Sequence, residues 1–269
     1  MRTLPNINVN GTTLVYNDQG PKDAPVLVMC HSLFFDQTMF AHQTEYFSKT
    51  IRIVSYDLRD QGQSARSDLK SVDMNTHTDD AIALIEALNL APCFFAGNSM
   101  GGFIALRLAS RRPDLLKGCI VLGSSGELEY KLSDFSPLID GVNAQGTEPF
   151  IDTLMYIMFG DDYLADASRA SEREYWRNHM LKLGPDIARS AHGVIYRTGV
   201  LDELKDCKVP MLILAGEQDH AYEVPLSHNI AQTVADSQMF VIPKAGHSVA
   251  LEQPKIVNEY ISDFISEHS

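Results

Sequence analysis

Apolar runs recur along both halves of this chain, at residues 26–30, 51–57 (interrupted by Arg52 and Ser55 and ending at Asp57), 92–96, 118–123, 209–216 and 239–242. Runs of this kind, apolar on successive positions rather than alternate ones, are expected of strands buried on both faces of a parallel sheet. Helical periods fall between them. Thr76-x-x-Asp79 ahead of the apolar residues 81–85 has the form of a capping box, and it predicts a helix running to about Asn89. A second helix is expected from about Met100 to Arg111, stopped by Pro113. A last one begins near Pro254, with Ile256, Val257, Tyr260, Ile261, Phe264 and Ile265 along one stripe. At the N-terminal end, residues 6–18 alternate around Asn10-Gly11, the pattern of a β-hairpin. Strand and helix alternate at short intervals, which predicts an α/β fold built on a doubly wound, mostly parallel sheet.

The alternation stops after Ser124-Ser125-Gly126. Residues 126–200 show no strong strand pattern and several helical ones: 149–159 ending at Gly160, 170–183 ending at Gly184, and 185–193. Trp176, the only tryptophan, falls here. The expected organisation is a core formed by residues 1–125 and 201–269, with residues 126–200 inserted as a helical cap. No internal repeat and no low-complexity linker interrupts it.

Composition narrows the function. With 269 residues and 45% hydrophobic positions, the chain can bury a substantial core. A formal net charge of −13 argues against nucleic acid, which needs a concentrated basic face. The adjacent pair Arg111-Arg112 sits where cations favour a helix C-terminus. The four cysteines, Cys30, Cys93, Cys119 and Cys207, lack metal-type spacing, and three lie inside apolar runs, so buried free thiols are expected. Met1-Arg2-Thr3-Leu4-Pro5-Asn6 lacks the apolar stretch of a signal peptide, and no run approaches the roughly 18 apolar residues of a membrane span. A reduced cytoplasmic setting and no membrane partner are the expectation; oligomeric state leaves no trace in the sequence.

Candidate chemistry centres on Gly97-Asn98-Ser99-Met100-Gly101, where an apolar strand meets an apolar helix. Strand, sharp turn and helix in that order make a nucleophile elbow, with glycines leaving room for the two elements to approach. A serine hydroxyl needs a base, and in such sheets function gathers beyond the C-terminal ends of the strands. Asp219, in Gly216-Glu217-Gln218-Asp219, and His247, in Ala245-Gly246-His247, both follow buried runs there. Glu217 competes with Asp219 for the acid; the Gly-x-x-Asp spacing favours Asp219. His247 is one of nine histidines and is singled out by its place after the final strand. An oxyanion hole needs two backbone N–H donors. Met100, directly after the serine, supplies one, and Leu33, in the loop after residues 26–30, is the candidate for the other. His31 reads as an anchor of that loop.

On His31-Ser32-Leu33, Asp57-x-Arg59-x-x-Gly62-x-Ser64, Gly97-x-Ser99-Met100-Gly101-Gly102, Gly216-x-x-Asp219, and Gly246-His247 followed by Glu252-x-Pro254, the chain resembles the α/β-hydrolase superfamily over nearly its full length. Ser32-Leu33 with Asp36 and Met39 resembles the 3-oxoadipate enol-lactonase branch. Asp60 departs from the glycine common at that position, and Phe34-Phe35 sets two large rings where enol-lactonases are smaller. The resemblance implies hydrolysis of a small carboxylic ester or lactone through an acyl-enzyme, with Ser99, His247 and Asp219 as triad and no metal or organic cofactor. Carbon–carbon bond hydrolysis or cofactor-free perhydrolysis could use the same triad, and a ligand receptor on the same fold is a third reading. Phe34, Phe35, Leu154, Met158 and Trp176 are candidate pocket liners, together with Phe150; the rings of Phe34 and Phe35 could equally be core, and at helical spacing the residues of the insertion are more often its core. A carboxylate substrate would call for an arginine in the pocket, with Arg169, Arg173, Arg177, Arg189 and Arg197 available.

Overall fold

A computed structural model describes residues 4–68 and 72–269; the first three residues of the N-terminal stretch lie outside it. The Asn10-Gly11 turn, with φ of 45° and 70°, joins β1 (Asn6–Val9) to β2 (Thr12–Gln19) as an antiparallel hairpin. Then follow β3 (Val26–Cys30), α1 (Ala41–Phe47), β4 (Arg52–Tyr56), α2 (Met74–Ala87), β5 (Cys93–Asn98), α3 (Met100–Arg111) and β6 (Leu116–Leu122). Between β6 and the sheet's next strand come α4 (Leu132–Gln145), α5 (Ile151–Met158), α6 (Asp161–Ala165), α7 (Ala170–Leu181) and α8 (Ile187–Ile195). The chain returns through α9 (Leu201–Leu204) to β7 (Met211–Gly216), α10 (Val224–Thr233), β8 (Ser237–Ile242), α11 (Val249–Glu252) and α12 (Pro254–His268).

The eight strands form one sheet in the order β1-β2-β4-β3-β5-β6-β7-β8. β2 runs antiparallel to β4, and the pairs from β4 to β8 are parallel. The central strands β5 and β7 are buried along their whole length, as continuous apolar runs require. On α12 the apolar stripe buries Val257, Ile261, Phe264 and Ile265, each contributing about 1.5–3 kcal/mol by leaving water.

Two expectations need correction. The helix α2 begins at Met74, and Asp73 caps it by accepting the Thr76 N–H at 2.8 Å. Thr76 is therefore inside the helix, donating to a cap, and Thr76-x-x-Asp79 is not the capping box. α4 has no counterpart among the helices expected from the sequence, because Pro137 sits within it and breaks the pattern that marks a helix. The four cysteines are all free and buried. Arg111 pairs with Glu203, and Arg112 with Glu86 and Asp114, so neither forms part of a basic surface.

Close backbone approach fixes the centre of the fold. A Cβ added to Gly97 would run into the Gly101 carbonyl, and one added to Gly101 would run into the Cys30 carbonyl. The strands β3 and β5 and the helix α3 meet at van der Waals distance with no space for a methyl group. Gly101→Ala is therefore expected to lower unfolding stability in urea by about 2–4 kcal/mol, whereas Gly184→Ala, with open space around it, should stay within about 0.5 kcal/mol.

Candidate active site

Ser99 sits between β5 and α3 with φ 53° and ψ −110°, a conformation costing about 1–3 kcal/mol for a residue with a side chain. The surroundings hold it there. Its N–H donates to the Leu122 carbonyl at 2.9 Å, and its carbonyl accepts from the Ser124 hydroxyl at 2.9 Å. Asn98, one residue earlier, donates its side-chain amide to the His247 carbonyl at 3.0 Å. The elbow is thus tied directly to the loop after β8.

That loop presents His247, and the loop after β7 presents Asp219. The His247 Nδ1 lies 3.0 and 3.1 Å from the two Asp219 carboxylate oxygens, with both side chains almost wholly buried. A carboxylate only accepts, so Nδ1 carries the proton and Nε2 is left as the basic nitrogen. Asp219 is itself held by the N–H groups of Ala221 and Tyr222, each at 2.8 Å. Glu217 is engaged elsewhere, accepting the Lys244 N–H at 3.0 Å. Ser99 and His247 line one cavity, with Leu33 on its wall. Met100 opens α3, where a backbone N–H has no acceptor within the helix.

His31 anchors its loop. Its Nε2 accepts the Leu58 N–H at 2.9 Å and its Nδ1 donates to the Ser32 carbonyl at 2.8 Å. Burial depresses its pKa, which keeps the ring neutral and able to do both. Asp57 accepts the N–H groups of Gln37 and Gln63, joining the loop after β3 to the loop after β4. Asp60 occupies the left-handed region at φ 67°, the conformation that favours a glycine at this position; here its carboxylate accepts the Ser67 hydroxyl and lies 3.8 Å from Arg189 of α8.

Glu252 stands in the sequence only as part of a motif, and its position gives it more to do. One carboxylate oxygen accepts the Gly246 N–H at 2.8 Å and the Gly160 N–H at 2.9 Å; the other accepts the Ser248 N–H at 3.0 Å. Both residues flanking His247, and Gly160 just past α5, therefore hang on one buried carboxyl. Burial raises its pKa to about 7 against the pull of those three donors. Ser248 adds a hydroxyl donated to the Met158 carbonyl at 2.7 Å. Glu252 also borders a surface groove of about 390 Å³ that includes Asp162, Arg169 and Lys244.

The cavity at Ser99 is narrow, about 50 Å³, and lined by apolar side chains. Of the predicted liners, Phe34, Leu154 and Met158 are on its wall. Phe35 and Trp176 are not: their rings pack edge-to-face at 4.8 Å, with Phe159 completing the cluster, and they join the helices between β6 and β7 to the loop after β3. Phe150 packs on Gly141 instead. The sequence reading misses Phe135, Leu138 and Ile139, which α4 contributes, and Val194 and Ile195 from α8. Pro137 hides α4, and Val194 and Ile195 fall beyond the predicted helix end at Gly193. Among the described residues, no group of three or more His, Cys, Asp or Glu is arranged to hold a metal ion, and no helix is long and apolar enough to cross a membrane.

A model of the alpha/beta hydrolase family matches residues 27–260, and the chain belongs to that family. It is similar to 3-oxoadipate enol-lactonase 1 of Acinetobacter baylyi, 24% identical across 96% of this chain and 95% of the relative. An uncharacterized carboxylesterase of Bacillus subtilis is 27% identical across 92% of this chain and 81% of the relative. The crystal structure of the enol-lactonase from Burkholderia xenovorans superposes with a TM-score of 0.90 at 25% identity, covering 97% of this chain and all of that one.

The Glu252 geometry yields a pH signature. A carboxyl raised to about 7 binds its proton more tightly folded than unfolded, so its contribution favours folding at low pH and is lost as pH rises through about 7. In urea unfolding of wild type and Glu252→Gln from pH 5 to 8, the stability advantage of wild type should shrink up to about pH 7 and then level off. A gap that is flat, or that widens with pH, would contradict the assignment.

Proposed function

We propose that this protein is a serine hydrolase that cleaves a small carboxylic ester or lactone through an acyl-enzyme. Ser99 Oγ attacks the substrate carbonyl while His247 Nε2 takes its proton. The imidazolium so formed is stabilised by Asp219, which also fixes the histidine's tautomer. Backbone N–H groups of Met100 and Leu33 stabilise the tetrahedral oxyanion. Collapse expels the alcohol, protonated by His247; for a lactone the alcohol remains attached to the acyl group. Water, activated by the same histidine, then hydrolyses the acyl-enzyme. In this reading α4, α5 and α8 act as a cap that keeps water from the acyl group, and the partner is a small molecule.

The observation that supports it is the His247–Asp219 pair, with Nδ1 held at 3.0 Å and the ring sharing one cavity wall with a serine in a strained elbow. A ligand receptor has no use for a basic imidazole beside a strained serine. The relatives named above are a lactonase and an esterase, which agrees with the ester and lactone class.

Hydrolysis of short and medium p-nitrophenyl esters and of a small lactone set is expected, with Ser99→Ala losing at least about 10³-fold in kcat. Within the esters, each added methylene that reaches the cavity should gain about fourfold in kcat/KM until the narrow space is filled. Absence of Ser99-dependent turnover on every ester and lactone would overturn this reading and favour the carbon–carbon bond chemistry.

A further inference from the structure

Hydrolysis leaves open which acyl groups the pocket admits, and the charge distribution around it decides that. α4 lays Phe135, Leu138 and Ile139 along the cavity, and α5 adds Leu154, Ile157 and Met158; apart from Ser99, Tyr222 and His247, no polar side chain among the described residues lines the wall. A carboxylate seated there would lose its hydration and find no cation to replace it, a cost that apolar contact does not offset.

The five arginines between β6 and β7 do not line the cavity. Arg169 pairs with Glu172 and donates to the Leu251 and Glu252 carbonyls. Arg173 donates to the Tyr163 and Asp166 carbonyls, and Arg177 pairs with Asp152. Arg189 donates to the Ser67 carbonyl and lies beside Asp60. Arg197 stands directly behind the pocket wall, and it is neutralised there. Its side chain is 1% exposed and meets the Glu129 carboxylate at 2.8 Å. The guanidinium lies 4.0 Å from the Phe103 ring centre and 5.1 Å from that of Tyr222. Tyr222, which does line the cavity, gives its hydroxyl to the same Glu129 oxygen at 2.9 Å. One carboxylate thus holds both the cation and the phenol hydroxyl.

We infer that the pocket is specific for uncharged acyl groups and rejects acyl groups that carry a carboxylate. This rests on the acyl-enzyme reading and narrows it to a substrate class. Ethyl butyrate and monoethyl succinate test it: the acyl chains have the same length, and one ends in a methyl group, the other in a carboxylate. Acid release at constant pH, with Ser99→Ala as the blank, should give kcat/KM at least about a hundredfold higher for the butyrate ester. The measurement is made at about 0.05 and 0.5 M salt, because a chain of net charge −13 also repels anions at long range, and that repulsion is screened. A ratio that survives high salt supports exclusion by the pocket. A ratio that collapses with salt, or equal turnover of the two esters at either concentration, overturns the inference and leaves the hydrolase reading standing. Failure of both esters, together with the p-nitrophenyl and lactone sets, overturns the hydrolase reading and this inference with it.

A variant gives the complementary result. Ile157 is half-buried on the wall, so a lysine there can reach toward water with its stem along apolar surface. Ile157→Lys should raise kcat/KM for monoethyl succinate at least about tenfold, with the far-ultraviolet circular dichroism and Tm confirming that it folds. A folded variant whose succinate activity does not rise would show that wall charge does not set the preference, and would overturn the inference.

Discussion

Everything near the site depends on one close approach, that of β3, β5 and α3 around Gly97 and Gly101. Because neither glycine can carry a Cβ, the turn between strand and helix is forced to be tight, and Ser99 takes a backbone conformation that its own propensity disfavours. The strain persists because it is over-determined: the Leu122 carbonyl and the Ser124 hydroxyl hold the residue from both sides. The same tightness sets Met100 at the first turn of a buried helix, the end at which developing negative charge is favoured. The position of the proposed nucleophile and that of its oxyanion donor are consequences of one packing constraint.

The proposed base and acid reach that point by a different route. They stand on loops, which are ordinarily mobile, and the structure compensates with carbonyl and carboxylate anchors. Asn98 takes the His247 carbonyl, two backbone N–H groups take Asp219, and Glu252 takes both neighbours of His247. Glu252 also takes Gly160, so the loop bearing the proposed base and the end of α5 share one acceptor. α5 carries Leu154 and Met158 on the pocket wall. A movement of α5 would therefore be felt at His247 through two anchors, the Glu252 carboxyl and the Ser248 hydroxyl bonded to the Met158 carbonyl.

How much of this is legible in the sequence follows from what each signal depends on. Buried parallel strands read clearly because apolar runs such as residues 26–30 and 209–216 fit few environments besides the interior of a sheet. The elbow is legible because Gly97 is required by sterics that act within five residues, against the Gly101 carbonyl, although Gly101 itself answers to the distant Cys30 carbonyl. Asp219 is separable from Glu217 by spacing alone, and the structure shows the physical reason, since Glu217 serves the Lys244 backbone. Illegible features depend on contacts far apart in the chain. α4 contains a proline, so its helical state is set by packing against α8 and the pocket rather than by local pattern. Phe35 and Trp176 look like pocket residues in sequence, yet their rings come together from distant parts of the chain to form a core cluster. Glu252 offers an acidic residue before a proline and nothing more until the loops around it fold.

Arg197 shows why composition misleads about the pocket. A buried ion pair is weak evidence for stability, because desolvation of both charges offsets much of their attraction. The Arg197–Glu129 pair is better understood through what it removes from the site. Without Glu129, a guanidinium stacked beside Tyr222 would set a positive potential at the cavity wall, in a low-dielectric region where charge acts strongly. With Glu129 in place the two charges cancel, and the tyrosine hydroxyl is turned to the carboxylate instead of the substrate. The chain's excess of acidic residues sets its long-range field, while this one, 0% exposed at its side chain, balances the guanidinium behind the wall. The proposed selectivity for uncharged acyl groups then rests on cancelling a cation as much as on the apolar side chains that line the space.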